Sequence, residues 1–272
     1  MKLKVIYFSA MGTTLRVATE VAKGIGEEVE FIDLTVPQNR LDDLEFSPKD
    51  IVLFAFPVYA GRVVRIPRYF FKKIKGNQAN AVSIVTYGNR AYDDALLELC
   101  MLVENSGFNH IAAGAFICEH AFDIGLATGR PDKDDCIAAE VFGKEIKRRI
   151  NNGQCDKTIV ANIPGEYPFK TQFRHDFGGP LVPTTSETCI TCGKCAIDCP
   201  AEAISFSNPK ETNTKKCITC FRCINHCPSD ARKIVLDEFL SHNEWLNKTY
   251  QKRKEPEMFY TSCEVIINYE GK

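Results

Sequence analysis

Short apolar runs alternate along the first 150 residues with longer segments in which apolar residues recur every three or four positions. The short runs indicate β-strands and the longer segments indicate amphipathic helices, so the pattern predicts consecutive βαβ units. The predicted strands cover residues 3–8, 29–33, 51–56, 81–86 and 111–117, and the predicted helices cover residues 13–24, 67–75, 91–105 and 132–150. Five such strands with helical crossovers form a doubly wound parallel sheet of the α/β class, whose ligand binds at the carboxyl ends of the strands.

The chain changes character twice beyond this region. Residues 161–185 are rich in Pro, Gly, Phe and Thr, which predicts a linker. Residues 186–236 carry most of the cysteines, and residues 237–272 combine a helical pattern at 239–249 with a strand-like run at 263–269. The sequence thus predicts a first domain at residues 1–160, a second at residues 186–236, and a C-terminal tail that packs on one of them.

Composition narrows the classes of function. The 272 residues are 44% hydrophobic and 25% charged, as in globular proteins, which excludes a disordered or fibrous chain. A formal net charge of −1 offers no global attraction to nucleic acid or to an anionic membrane. No apolar run approaches the roughly 18 residues that span a bilayer, and the N-terminus lacks the features of a signal peptide. We expect a soluble, cytoplasmic protein that binds neither nucleic acid nor membranes.

Thirteen cysteines are the exception in this composition, and eight of them lie within one short segment. This clustering is unlike the framework of a secreted disulfide-rich domain and indicates a metal site in a reducing compartment. Three thiolates spaced by two residues can surround one corner of an iron–sulfur cubane. Zinc is the alternative, because paired C-x-x-C motifs also build zinc ribbons, but zinc needs neither a third cysteine nor a following proline. The segment contains Cys189, Cys192, Cys195 and Cys199-Pro200, repeated 28 residues later as Cys217, Cys220, Cys223 and Cys227-Pro228.

At all eight cysteines this segment resembles the two-cluster bacterial ferredoxins, which are small α+β domains with two [4Fe–4S] clusters. The resemblance implies that the cysteine before each proline binds the cluster of the other repeat. One cluster would then be bound by Cys189, Cys192, Cys195 and Cys227, and the second by Cys217, Cys220, Cys223 and Cys199.

Three loops after predicted strands carry residues suited to a phosphate group or a flat ring. The first opens a helix, where hydroxyls and free N–H groups can bind a phosphate, although the same residues also serve as a plain helix cap. The loops after the third and fourth strands combine glycines, which let the backbone approach a flat ring, with tyrosines that can stack on it. No G-x-G-x-x-G or Walker sequence points to a dinucleotide or a nucleoside triphosphate. The candidate residues are Ser9, Ala10, Met11, Gly12, Thr13, Thr14, Pro57, Val58, Tyr59, Ala60, Gly61, Thr86, Tyr87, Gly88, Asn89, Arg90 and Tyr92.

The first of these loops resembles the phosphate loop of flavodoxins, Ser/Thr-x-Thr-Gly-x-Thr, with Met11 at a position where that family has a hydroxyl. Residues 1–236 together resemble flavodoxin–ferredoxin fusion proteins, most strongly in the cysteine motifs and in residues 87–92. This resemblance implies a flavodoxin-like domain that binds FMN, followed by a ferredoxin-like domain with two [4Fe–4S] clusters. The C-terminal tail lies outside the resemblance.

A protein of this kind is expected to transfer electrons between FMN and the clusters, and so to convert between two-electron and one-electron redox partner proteins. The alternative is a flavin-dependent reductase of a small substrate such as a quinone, with the clusters as electron input. Residues 62–75 contain six basic side chains and no acid, which indicates a solvated helix face or a docking patch for an acidic redox partner. The sequence leaves open the identity of the partners and whether the chain forms a homodimer.

Overall fold

Strands and helices alternate along most of the chain in the computed structural model, which describes residues 2–122, 124–153, 163–169 and 181–261. The strands are β1 (Leu3–Tyr7), β2 (Val29–Asp33), β3 (Leu44–Glu45), β4 (Ile51–Tyr59), β5 (Arg62–Val63), β6 (Ile74–Lys75), β7 (Asn80–Tyr87), β8 (Asn109–Ile117), β9 (Thr184–Thr185), β10 (Arg232–Lys233) and β11 (Glu257–Tyr260). The α-helices are α1 (Thr13–Ile25), α2 (Arg65–Phe70), α3 (Ala95–Asn105), α4 (Lys133–Asn151), α5 (Lys194–Ile197), α6 (Arg222–Asn225) and α7 (Asp237–Thr249). Short 3-10 turns lie at Pro37–Arg40 and Phe71–Lys73.

Five parallel strands form the centre of the largest sheet, in the order β2-β1-β4-β7-β8. The register starts at the same level on both sides of β1, where Leu3 lies opposite Val29 of β2 and Ile51 of β4. The predicted doubly wound parallel sheet is therefore confirmed. The strand order reverses direction between β1 and β4, so a ligand is expected at the carboxyl ends of these two strands.

Two further strands extend this sheet beyond the predicted five. β5 turns back on the end of β4 as an antiparallel hairpin, and β11 of the C-terminal tail pairs antiparallel with β8. An open edge on β8 would present unpaired backbone groups, which β11 satisfies. The tail thus adds a strand to the sheet of the first domain. The strand predicted at residues 263–269 lies outside the described residues.

Helices cover both faces of the sheet. α1 and α4 pack together on one face, where a Cβ on Gly24 would lie 2.1 Å from the carbonyl oxygen of Glu140, so the two backbones are in contact. α3 packs on the other face against β7 and β8. The core on the two faces includes the completely buried side chains of Phe116 and Phe54. Within the part of the chain that the structure describes, no helix is both long and apolar enough to cross a lipid bilayer.

The prediction of a helix over residues 67–75 is wrong for its second half. α2 ends at Phe70, a 3-10 turn follows, and β6 then pairs in parallel with β3. In β6, Ile74 is buried whereas Lys75 is exposed. This alternation is the pattern of a strand, and two residues are too few to distinguish it from a helix by sequence periodicity.

The cysteine segment folds as two copies of one short unit. In each copy a left-handed residue, Gly193 (φ +73°) or Phe221 (φ +62°), precedes a single-turn helix, α5 or α6. β9 and β10 pair antiparallel beside these helices. Asp198 and His226 occupy equivalent positions in the two copies, and their Oδ2 and Nδ1 atoms lie 2.9 Å apart. The repeat in the sequence is therefore also a repeat in the structure.

Candidate functional site

A cavity of about 260 Å³ lies at the carboxyl ends of β1, β4, β7 and β8, where the sheet topology predicts a ligand. All three loops singled out in the sequence contribute to its wall. The predicted residues that line it are Ala10, Met11, Thr13, Thr14, Pro57, Val58, Tyr59, Ala60, Gly61, Thr86, Tyr87, Gly88 and Arg90.

The loop before α1 leaves the first amides of this helix available for an anion. Gly12, at the N-cap position, has a φ of +83°, which glycine adopts without strain, and it has no side chain with which to cap the helix. Ser9 Oγ accepts a hydrogen bond from the amide of Leu15, the third residue of α1, at 3.1 Å and so holds the loop closed. Thr14 Oγ1 lies 2.7 Å from Thr86 Oγ1, which ties this loop to the end of β7. The arrangement suits a phosphate group.

Met11, which departs from the flavodoxin pattern, lines the cavity and also contacts the cysteine segment. Its Sδ atom lies 3.7 Å from Asn225 Nδ2 of α6. A methionine at this position therefore supplies a contact between the two halves of the chain that a hydroxyl could not reach.

The two loops after β4 and β7 approach neighbouring groups closely. A Cβ on Gly61 (φ +76°) would lie 2.6 Å from Asp93 Oδ2, and a Cβ on Gly88 would lie 2.4 Å from His120 Cδ2. Both positions therefore require glycine. Tyr59 lines the cavity between these loops, and burial raises the pKa of its hydroxyl well above the ordinary value. A neutral aromatic ring and tightly packed backbone are what a flat apolar ligand requires.

A fourth loop and a helix of the tail also line the cavity, and sequence reasoning missed both. The loop follows β8 and contributes Cys118, His120 and Phe122, while α7 contributes His242 and Leu246. The position of the loop directly after the fifth predicted strand was a usable signal. Nothing in the local sequence of α7 indicates that it reaches the first domain.

His120 is a perturbed ionisable group of this wall, as are Tyr59, Tyr87 and Cys118, whose pKa values burial raises. Burial, together with the charges of His242 and Arg90, lowers the pKa of His120 to about 4. Its Nδ1 accepts a hydrogen bond from the Phe122 amide at 3.3 Å, so Nε2 carries the proton. His120 is therefore a neutral donor at the cavity wall at neutral pH.

Two predicted residues of the third loop are turned to other partners. Asn89 donates from Nδ2 to the carbonyl oxygens of Tyr250 (2.6 Å) and Lys252 (3.0 Å), and the Tyr92 hydroxyl donates to Glu257 (2.6 Å). These partners all belong to the C-terminal tail. Ser9 and Gly12 likewise shape their loop without lining the cavity.

The basic run of residues 62–75 makes internal contacts. Arg62 is buried and forms a two-point ion pair with Glu98, which also binds Arg68. Arg65 lines the cavity and donates to the Lys216 carbonyl oxygen at 3.1 Å, across to the cysteine segment. The three arginines are thus bound internally, whereas Lys72 and Lys75 are exposed.

The eight clustered cysteines surround two small cavities of about 20 Å³ each. Each cavity contains three cysteines of one repeat and the last cysteine of the other, in the two sets that the ferredoxin pattern implies. No three His, Cys, Asp or Glu side chains among the described residues converge closely enough to bind a single metal ion. One cavity is lined by Cys189, Cys192, Cys195 and Cys227, and the other by Cys199, Cys217, Cys220 and Cys223.

Backbone amides and burial set the electrostatics of these thiols. Cys199 and Cys227, at equivalent positions, each accept an amide hydrogen bond at 3.3 Å, from Ala203 and Ala231. Burial raises the pKa of Cys220, and it raises that of Cys223 to about 11. A bound cation, such as the iron of a cluster, favours the thiolate form of such thiols. Four thiols around an apolar space, with amides donating to sulfur, fit an iron–sulfur cubane.

The large cavity and the cavity lined by Cys199, Cys217, Cys220 and Cys223 share a wall. Cys217, Ile218 and Thr219 line both. Arg222, next to Cys223, donates from Nη1 to the Ala10 carbonyl oxygen at 2.7 Å and thus fastens α6 to the loop before α1. The cysteine segment is therefore packed directly against the candidate flavin site.

Comparisons with known proteins give two family matches. Residues 4–95 match the model of a flavodoxin domain, and residues 182–228 match that of a 4Fe-4S dicluster domain. No curated protein matches the chain.

Several solved structures are similar to a little over half of the chain. A flavodoxin from the domain Archaea is 14% identical over 56% of this chain and 99% of its own, with a TM-score of 0.39. Flavodoxin 1 from Bacillus cereus is 17% identical over 54% of this chain and 98% of its own, with a TM-score of 0.38. The NAD(P)H:quinone oxidoreductase from Methanothermobacter marburgensis is 10% identical over 56% of this chain and 97% of its own, with a TM-score of 0.36.

Proposed function

We propose that this chain, an N-terminal flavodoxin domain fused to a C-terminal 4Fe-4S dicluster domain, transfers electrons between an FMN in the large cavity and one [4Fe–4S] cluster in each cysteine-lined cavity. When bound, a flavin exchanges two electrons and a cubane exchanges one, so their combination joins two-electron and one-electron redox partners. The observation that carries this proposal is the wall of residues 217–219, which the two cavities share.

One group of residues in the large cavity would bind the phosphate end of FMN, and another would bind its ring. The loop of residues 9–14 and the amides at the start of α1 would bind the phosphate. The loops at residues 57–61 and 86–90, with Tyr59, would hold the ring. His120 would offer its Nε2 proton as a neutral hydrogen-bond donor.

Because of the shared wall, one set of cysteines lies nearer to the flavin cavity than the other. The set of Cys199, Cys217, Cys220 and Cys223 adjoins the flavin cavity, and we name it the proximal set. The other set, with Cys192 exposed to solvent, is named the distal set. Because electron transfer slows steeply with distance, the distal set is the one suited to exchange electrons with a partner protein.

The surface beside the distal set supports electron exchange with a partner protein at this end of the chain. Ile190 and Phe206 are 63% and 67% exposed there. Of their equivalents in the second repeat, Ile218 packs against the core cluster that contains much of the flavodoxin domain, and Ile234 is buried in a smaller cluster against which Ala121 and Phe122 pack. The first repeat thus exposes the kind of apolar face that the second repeat buries, and a redox protein with an apolar surface around its own cofactor fits it.

Metal and flavin analysis tests the cofactor assignment. Anaerobically prepared protein should contain about eight iron atoms, about eight sulfides and about one FMN per chain, as two cubanes and one flavin require. Stoichiometric zinc, or iron for one cubane alone, would overturn it.

The second candidate function is reduction of a small substrate such as a quinone. It is supported by the polar groups that line the cavity, namely His120, His242 and Arg90. Steady-state reduction of menadione by the viologen-reduced protein decides between the two. Saturable turnover that depends on His120 favours the reductase, whereas linear dependence on quinone concentration favours the carrier.

A further inference from the structure

We propose that the C-terminal segment, residues 237–260, is part of the flavin site, where it holds the loop of residues 86–92 in position and closes the cavity with α7. This inference rests on the proposed function, because it takes the large cavity to be a flavin site. The segment consists of α7, a connection at residues 250–256 that we name the strap, and β11.

The strap and β11 bind the loop of residues 86–92 at three of its residues. Asn89 donates to the carbonyl oxygens of Tyr250 and Lys252 at 2.6 and 3.0 Å. Lys254 Nζ donates in return to the Arg90 carbonyl oxygen at 2.6 Å. Together with the Tyr92 hydroxyl, which donates to a β11 carboxylate at 2.6 Å, these bonds fasten the whole turn.

Asn89 is the centre of this attachment. It is 2% exposed and has a left-handed backbone (φ +63°), a conformation that asparagine tolerates better than most residues. Its neighbours Gly88 and Arg90 line the cavity. A shift of Asn89 would therefore move two residues of the cavity wall.

The strap is itself fixed to the flavodoxin domain, so it can serve as a rigid support. Arg130, whose guanidinium is paired with Asp135, donates to the Lys254 carbonyl oxygen at 2.7 Å. Arg253 binds Asp132 at the start of α4 at 2.6 Å. β11 then continues into the sheet by pairing with β8.

α7 closes the cavity from the side of the tail. His242 and Leu246 line it, and Leu246 is 2% exposed. At the start of α7, the ring of Phe239 lies 5.1 Å from that of Phe122 in the loop after β8 and 5.7 Å from that of Phe221 beside the proximal cysteines. The helix therefore contacts both domains as well as the cavity.

The loop of residues 86–92 has little room to move towards His120. The Gly88 backbone lies so close to His120 that an added Cβ would be 2.4 Å from the imidazole. Without the strap, this loop could relax away from His120 and widen the cavity at the ring end. We infer that Asn89 is a positioning residue for the flavin ring, although it does not line the cavity.

The experiment compares full-length Asn89→Gly protein with wild type. Glycine keeps the left-handed backbone and removes both hydrogen bonds to the strap. FMN and riboflavin affinities are measured by fluorescence titration after the flavin is removed, and visible circular dichroism of the bound flavin reports its surroundings. We expect both affinities to fall by the same factor, about tenfold to hundredfold for two hydrogen bonds, and the flavin dichroism to change.

Asn77→Gly is the matched control, since Asn77 also has a left-handed backbone (φ +46°) and donates from Nδ2 to a carbonyl oxygen, that of Phe46, at 3.1 Å. It precedes β7, at the end of the strand opposite the cavity, so its FMN affinity should stay within twofold of wild type. If Asn89→Gly protein loses its far-ultraviolet dichroism, Tyr92→Phe, which lacks one hydrogen bond, takes its place and should weaken both flavins by about two- to tenfold.

The outcomes separate this inference from the proposed function. Wild-type protein that binds no flavin overturns both. Wild-type protein that binds FMN, with variants that bind it equally and give the same flavin dichroism, overturns the role of the C-terminal segment alone. Loss of FMN affinity with riboflavin affinity unchanged also overturns it, because the phosphate site would then be the part affected.

Discussion

Replacing Phe221 by glycine tests whether this side chain docks the proximal cysteines on the flavodoxin domain. Its ring centroid lies 4.5 Å from that of Phe122 and 5.7 Å from that of Phe239, and the residue is 5% exposed. Its backbone is left-handed (φ +62°), which is strained for a bulky residue. The first repeat has Gly193 at the equivalent position, so a glycine is compatible with this turn.

Two opposing free-energy contributions determine how much the Phe221→Gly change destabilises the protein. Truncating a buried phenylalanine costs about 3–5 kcal/mol, and relief of the left-handed strain offsets about 1–2 kcal/mol of that. The net loss is about 1–4 kcal/mol, or about 5- to 900-fold in an equilibrium constant. The contact with Phe122 crosses between the domains, so we expect the loss to weaken their docking and to spare the core of each domain.

Stopped-flow spectroscopy measures the consequence. In the wild-type chain, electron exchange between the flavin and the clusters should be first order and independent of protein concentration, because the two domains are held together. Phe221→Gly should lower this rate and speed amide hydrogen exchange at residues 118–122. Phe206→Gly is the control, since Phe206 is 67% exposed in the first repeat and its loss should change neither. An unchanged rate and unchanged exchange in Phe221→Gly would refute the docking role.

Three further predictions concern single residues. Cys199→Ala should abolish the paramagnetic resonance signal of the proximal cluster and spare that of the distal cluster, and the opposite result would show that the ligands are not exchanged between repeats. Thr14→Val should weaken FMN about fivefold more than riboflavin, as loss of one hydrogen bond to phosphate requires, and fluorescence titration giving equal losses would make the hydroxyl a structural partner of Thr86 alone. His120, with a folded pKa of about 4 against 6.5 when free, should contribute stability that is complete above pH 6.5 and is lost as pH falls towards 4, by at most about 3 kcal/mol. Urea unfolding at pH 7 and pH 4.5 should show this loss in wild type and a smaller one in His120→Gln, and equal losses would contradict the buried neutral state.

The parallel strands could be predicted because each is decided by its own local pattern. A buried strand of a parallel sheet is a short apolar run, as in Ile51–Tyr59, and it is recognisable wherever its partners lie. β11 could not be found in this way. It has four residues and gains its stability from pairing with β8, which precedes it by about 140 residues in the chain.

The candidate site likewise has features that the local sequence predicts and features that depend on distant parts of the chain. Loops at strand ends can be placed from the order of strands alone, so three of the four loops of the cavity were predicted. The direction of a side chain within a loop is set by distant partners. Asn89 and Tyr92 stand in the right loop, but the tail determines that they bind it, and His242 reaches the cavity through the packing of α7.

The two cysteine repeats share one ligand pattern and differ in what surrounds it. Gly193 and Lys194 of the first repeat become Phe221 and Arg222 in the second, at the same positions of the same turn. Lys194 pairs with Asp198 of its own helix, whereas Arg222 reaches the Ala10 carbonyl oxygen of the flavodoxin domain. The two sets of cysteines have the same composition, so the residues outside them distinguish the two sites. These residues attach one cysteine set to the large cavity and leave the other at the surface.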